Sequence, residues 1–80
     1  MVKITYGMTE EIYSRGSDSR TSYGIAAYAH GDEEGTATVI AAVHDITSNR
    51  QALANLVSLC NRLELSVLHL DDVVEDFLAH

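Results

Sequence analysis

Residues 21–46 read TSYGIAAYAH, then GDEEG, then TATVIAAVHDI, and this stretch decides the fold. Both flanking segments are rich in β-branched and aromatic residues, and the acidic, glycine-bounded centre is a turn signal. Two strands, Thr21 to His30 and Thr36 to Ile46, are therefore expected to form a hairpin around Gly31–Gly35. Folding about Glu33 pairs positions whose numbers sum to about 66, which places the odd positions on one face. That face gathers Tyr23, Ile25, Ala27, Ala29, Ala37, Val39, Ala41 and Val43, apolar and mostly small, as a sheet needs where helices approach closely. The even positions are mixed, as on the solvent side of an antiparallel sheet, with Tyr28, Ile40 and Ala42 as a modest apolar centre.

Upstream, Val2, Ile4, Tyr6, Met8 and Ile12 alternate with polar residues, which predicts a first strand over residues 2–12. A turn-rich hexapeptide, Arg15 to Arg20, links it to the second strand. Downstream the period changes to that of a helix. Ser48 with Gln51 is a capping-box signature, and Leu53, Leu56, Val57, Cys60 and Leu63 form its stripe. Asn61 is the expected end, because asparagine tolerates the left-handed conformation. Ser66 caps a second helix whose buried stripe is Leu70, Val73, Val74, Phe77 and Leu78. The expected architecture is α+β: a three-stranded antiparallel sheet followed by two helices packed on one face, β-β-β-α-α, in one small domain over residues 1–80.

Charge is unevenly placed. Lys3, Arg15 and Arg20 balance Glu10, Glu11 and Asp18 in the first thirty residues, so the net charge of −7 arises entirely beyond them. There, Asp71, Asp72, Glu75 and Asp76 cover the outer face of the last helix, and Asp32, Glu33 and Glu34 fill the hairpin loop. Asp71 and Asp72 also suit the positive end of their own helix dipole. Such a surface repels phosphate backbones, so direct nucleic-acid binding is not expected. It favours a basic protein partner, and the candidate contact residues are Asp72, Glu75, Asp76, Asp32, Glu33 and Glu34. Acidic surface that merely maintains solubility is the plainer alternative. No apolar run reaches the roughly 18 residues of a membrane span, the start of the chain lacks a signal-peptide core, and one cysteine forms no internal disulfide. Cytoplasmic residence is the resulting expectation.

The segments TSYGI, HDIT, LVSLCNRLELS and HLDDVVEDFL resemble those of an uncharacterised family of small bacterial proteins. That family is similar in ending with a cysteine-asparagine pair, a short link, a histidine-leucine pair and an acidic VVEDFL-like helix. The resemblance covers roughly the last two-thirds of the chain, implies a single small domain and transfers no catalytic residue.

Catalytic chemistry finds no constellation. Cys60, the sole thiol, falls on an apolar stripe in an acidic region, whereas a nucleophilic cysteine needs an exposed, electropositive setting. The carboxylates crowd an exposed helix face rather than a cleft, and no glycine-rich phosphate loop or calcium-loop pattern occurs. No enzyme activity is expected. Zinc is the one cofactor considered: Cys60, His69, His44 and His80 supply suitable ligand types, with Asp45 and Asp72 close in sequence, though in no recognised spacing. The plainer reading keeps Cys60 in the core and His69 in a local hydrogen bond at a helix start. The leading expectation is a non-catalytic interaction module. Its sharpest form is an inhibitor that mimics nucleic-acid charge in the basic channel of a larger nucleic-acid-handling effector, as small acidic anti-CRISPR proteins do. A zinc-binding domain and a homodimer through the Tyr28–Ile40 face are the alternatives, so the chain is expected to be a monomer or a homodimer.

Overall fold

In the computed structural model, which describes residues 3–31 and 35–79, the order is β1 (Lys3–Arg15), β2 (Asp18–His30), β3 (Ala37–Thr47), α1 (Arg50–Arg62) and α2 (Leu70–Leu78). A single 3-10 turn, Val67–His69, leads into α2. The α+β layout of three antiparallel strands followed by two helices is the one the sequence predicts. β2 lies between β1 and β3.

β1 and β2 are longer than their alternation suggests. They pair without interruption from Lys3 opposite His30 to Arg15 opposite Asp18, so most of the expected turn hexapeptide is strand. Only Gly16 and Ser17 remain as the turn, and Gly16 takes φ of 62°, the sign a two-residue hairpin requires at its first position. β3 pairs with β2 only from Tyr23 onward. The far half of the β1–β2 hairpin therefore projects as a two-stranded ribbon, and the molecule measures 47 × 28 × 19 Å.

The hairpin register departs from a single sum, and the reason is local. Ile25, Ala26 and Ala27 face Val43, Ala42 and Ala41, but Tyr28 faces Val39, so a bulge absorbs Ile40. Past the bulge parity reverses: Val39 and Ala37 move to the open face with Tyr28 and His30, against the expected odd-position face. Ile40 turns the other way, lining a hollow with Ile4, Leu65 and Val67 on the helix side. The apolar centre of the open face is thus Tyr28, Val39 and Ala42. A second irregularity lies between Ile25–Val43 and Tyr23–Thr47, where His44, Asp45 and Ile46 oppose Gly24 alone. Asp45 takes φ of 57°, and Ile46 swings into the core. β3 crowds β2 here: a Cβ on Gly24 would stand 2.3 Å from the Val43 carbonyl oxygen.

The core fills the space between the sheet and the helices. Tyr6, Tyr23, Ile25, Ala27 and Ile46 meet Leu53, Leu56 and Cys60 of α1 and Leu70 and Val74 of α2. α1 packs on β1 and β2, and α2 packs on β3. Leu63 and Leu78, expected in the buried stripes, are exposed because each lies at or beyond the last turn of its helix.

The caps differ by a residue or two from expectation. Asn49, not Ser48, caps α1, accepting a bond from Ala52 N–H at 3.0 Å. α1 runs through Asn61 to Arg62, and Glu64 takes the left-handed conformation, φ 50°. Asn61 is needed elsewhere. Its Oδ1 accepts from Tyr6 N–H at 2.7 Å, and its Nδ2 donates to the Tyr6 carbonyl at 2.9 Å. The carboxamide thus stands where a neighbouring strand's peptide would pair with β1. The Tyr6 hydroxyl completes the grip by donating to the Leu65 carbonyl at 2.7 Å. Ser66 does cap, accepting from Leu68 N–H at 3.3 Å at the start of the 3-10 turn.

Candidate functional site

The helix α2 presents the acidic face that its periodicity predicts. Asp71, Asp72, Glu75 and Asp76 are all exposed, with Asp71 and Asp72 in the first turn beside the positive end of the helix dipole. Leu70 and Val74 are buried, and Val73 and Phe77 are half-buried. At 100° per residue, the order around the helix runs from core through Phe77 and Val73 to Asp76, Asp72 and Glu75. Asp32, Glu33 and Glu34, the other expected partner contacts, lie outside the described residues.

The residues considered for zinc do not converge. Cys60 is buried in the core, where desolvation raises its thiol pKa, and it lies on the helix side of the sheet. His44 sits on the opposite side, in contact with Glu11. His69 is exposed at the start of α2; its backbone N–H donates to the Ser66 carbonyl at 2.9 Å, and its side chain makes no capping bond. His80 lies outside the described residues. Among the described residues no three histidine, cysteine, aspartate or glutamate side chains are placed to share a metal ion. The sheet itself separates Cys60 from His44.

The open face of the sheet carries a polar network that the sequence did not disclose. Arg20 donates to both carboxylate oxygens of Asp45, at 2.9 and 3.1 Å, and the Ser22 hydroxyl donates to Asp45 Oδ1 at 2.7 Å. These bonds from Arg20 and then Ser22 hold the Asp45 carboxyl at a pKa of about 2. The Arg20 guanidinium also lies 4.7 Å from the centre of the Tyr13 ring. Tyr13 donates to Glu11 at 3.0 Å, which raises the phenol pKa, and Glu11 contacts His44. Thr9 Oγ1, enclosed beside Gly24, has no hydrogen-bond partner among the described residues. The participants come from all three strands and share no local spacing, so no motif could have revealed them. What the network does is mechanical: it ties the projecting ribbon to the Asp45 bulge of β3.

A second feature absent from the sequence reading is concave. Because α1 and α2 sit on different strands, a groove of about 510 Å³ opens between them, bounded by Leu56, Leu59, Val73 and Phe77, with Asp76 and Leu78 among its lining. The signal for it was present in Leu59, an apolar residue standing off the buried stripe of α1.

Fold and surface together describe a small α+β protein with one acidic helical face, an adjoining apolar groove, and no metal cluster among its described residues. The chain belongs to a family of unknown function (DUF6514), and the match spans residues 1–80. No curated protein and no solved structure matches it. Among the described residues no helix is long and apolar enough to cross a membrane.

Proposed function

We propose that this protein is a non-catalytic interaction module that binds a basic protein through the outer face of α2. The observation that carries this reading is the segregation of charge: four exposed carboxylates on one nine-residue helix that bears no basic residue. The whole chain holds five lysines and arginines against twelve acids, and Arg20 is already committed to Asp45. Fields of one sign steer a complementary partner and govern its on-rate more than its final affinity. The sharper form, in which the module occupies the nucleic-acid channel of a larger effector, is an extension of the same charge argument.

Affinity capture with the wild-type chain and with a variant carrying Asp72→Lys, Glu75→Lys and Asp76→Lys tests the proposal. A basic partner retained by the first and lost by the second, both folded, is the expected result. Capture of the same partner by both overturns it. Added single-stranded DNA or RNA displaces the module only if the channel form is correct.

A further inference from the structure

The groove between α1 and α2 names the kind of segment that such a partner presents. Its floor is Ile46 and Leu56, Ala52 and Leu59 rise on the α1 side, and Val73 and Phe77 rise on the α2 side. Its volume of about 510 Å³ lies within the ordinary range for ligand pockets and holds two large apolar side chains. The two rims are chemically unlike. On α2 the apolar wall gives way directly to Asp76 and then Asp72, one helical turn apart. On α1 the rim carries Asn49 and Ala52, and the whole helix contains no acidic residue.

We infer that this groove seats an amphipathic helix of the partner, with leucine- or phenylalanine-sized side chains at i and i+3 or i+4 in the groove and lysine or arginine on the flank that meets α2. The inference rests on the reading of α2 as the surface for a basic partner and adds the apolar half of the recognition. Charge complementarity selects the occupant: an apolar stripe alone fits the floor, and a basic flank adds attraction to the negative rim beside it. A second copy of the chain offers no such segment. Its α2 is acidic, and the arginines of its α1, Arg50 and Arg62, stand at opposite ends of that helix. The net charge of −7 adds repulsion between copies.

The test uses the whole chain and two synthetic peptides of about 18 residues, identical in leucine and lysine content. In one the leucines follow helical spacing; in the other they are scrambled around the helix. Binding is read by fluorescence anisotropy of labelled peptide, and folding of each protein by circular dichroism. The amphipathic peptide is expected to bind wild type at least about tenfold more tightly than the scrambled one. That advantage should persist at about 0.5 M salt, where exposed charge pairs are screened. Ala52→Trp, which fills the groove, and Leu59→Gln, which alters an accessible wall, should each remove the advantage and leave scrambled-peptide binding unchanged.

Equal binding of both peptides, unaffected by either groove variant, overturns the groove and leaves the acidic-face reading intact. Scrambled-peptide binding that is unchanged in a variant carrying Asp72→Asn and Asp76→Asn overturns the acidic-face reading instead. No binding of either peptide to wild type overturns both. A solution mass that rises to twice the chain mass with concentration, and falls back in Ala52→Trp, assigns the groove to a second copy and overturns the helix proposal.

Discussion

The two faces of the sheet solve the same problem by opposite means. The helix-covered face is held by apolar burial, with Ile25, Ala27 and Leu53 fully enclosed and Cys60 nearly so. The open face is held by pairs of polar side chains that reach across strands, Arg20 to Asp45, Ser22 to Asp45, Glu11 to His44 and Thr5 to His30, with Tyr13 bonded to Glu11 along β1. Burial scales with area removed from water and contributes most of the stability of a small domain, whereas exposed ion pairs contribute little and act mainly as positioning devices. The difference teaches where each kind of substitution will be felt.

Truncating the covered face gives the largest effect. Leu53→Ala should cost about 2–5 kcal/mol in denaturant unfolding, since Leu53 is fully buried and its neighbours are fixed by two packed layers. A loss below about 1 kcal/mol would show that the helices do not cap the sheet as described. Gly24→Ala probes the boundary between the faces. Its new Cβ meets the main chain of Val43 and His44 as well as the Thr9 hydroxyl, and the main chain gives way only at a cost, so a destabilisation of about 1–3 kcal/mol or more is expected together with altered chemical shifts at Val43 and His44. Asn61→Ala removes two hydrogen bonds from the Tyr6 backbone and should cost about 1–3 kcal/mol, while Asn61→Asp should restore only the bond from Tyr6 N–H.

The open face should report itself through pH. Asp45 titrates at about 2 in the folded chain, below its ordinary 3.8, so its pairing stabilises the fold above about pH 4 and that contribution is lost as pH falls toward 2. In Arg20→Gln the Asp45 carboxyl returns toward its ordinary range, so the variant should lose less stability than wild type over that interval. The difference should shrink in high salt, because both partners are exposed. Urea midpoints measured between pH 2 and pH 7 for both proteins decide it. The smallest effect belongs to Val39→Thr. This side chain is 56% exposed on the open face, and its replacement should change stability by no more than about 0.5 kcal/mol.

How far the sequence discloses this molecule follows from the range of each signal. Element order was legible because alternation in Ile4, Tyr6 and Met8 and helical spacing in Leu70, Val73 and Val74 are local patterns. The acidic face of α2 was legible for the same reason. The bulge at Ile40 was not, because one absorbed residue reverses parity without altering composition, and the even-odd reading of the hairpin therefore failed at Ala37 and Val39. Asn61 carries the residue type of a helix terminator but answers to Tyr6, a residue far away in sequence. The groove was equally hidden, since it depends on α1 and α2 choosing different strands. Local rules gave the parts of the candidate surface, and long-range packing gave its shape.

The Asn61 carboxamide also sets a clock. An amide on the outer edge of a terminal strand ordinarily exchanges with solvent by local fraying. The Tyr6 amide is held instead by a side chain on α1, 55 positions along the chain, and is expected to exchange more slowly. Lifting of that helix from the sheet is expected to speed its exchange, so the rate reports on a closure that joins the start of the chain to its second half. One peripheral N–H becomes a gauge of undocking, readable by deuterium exchange without perturbing any residue.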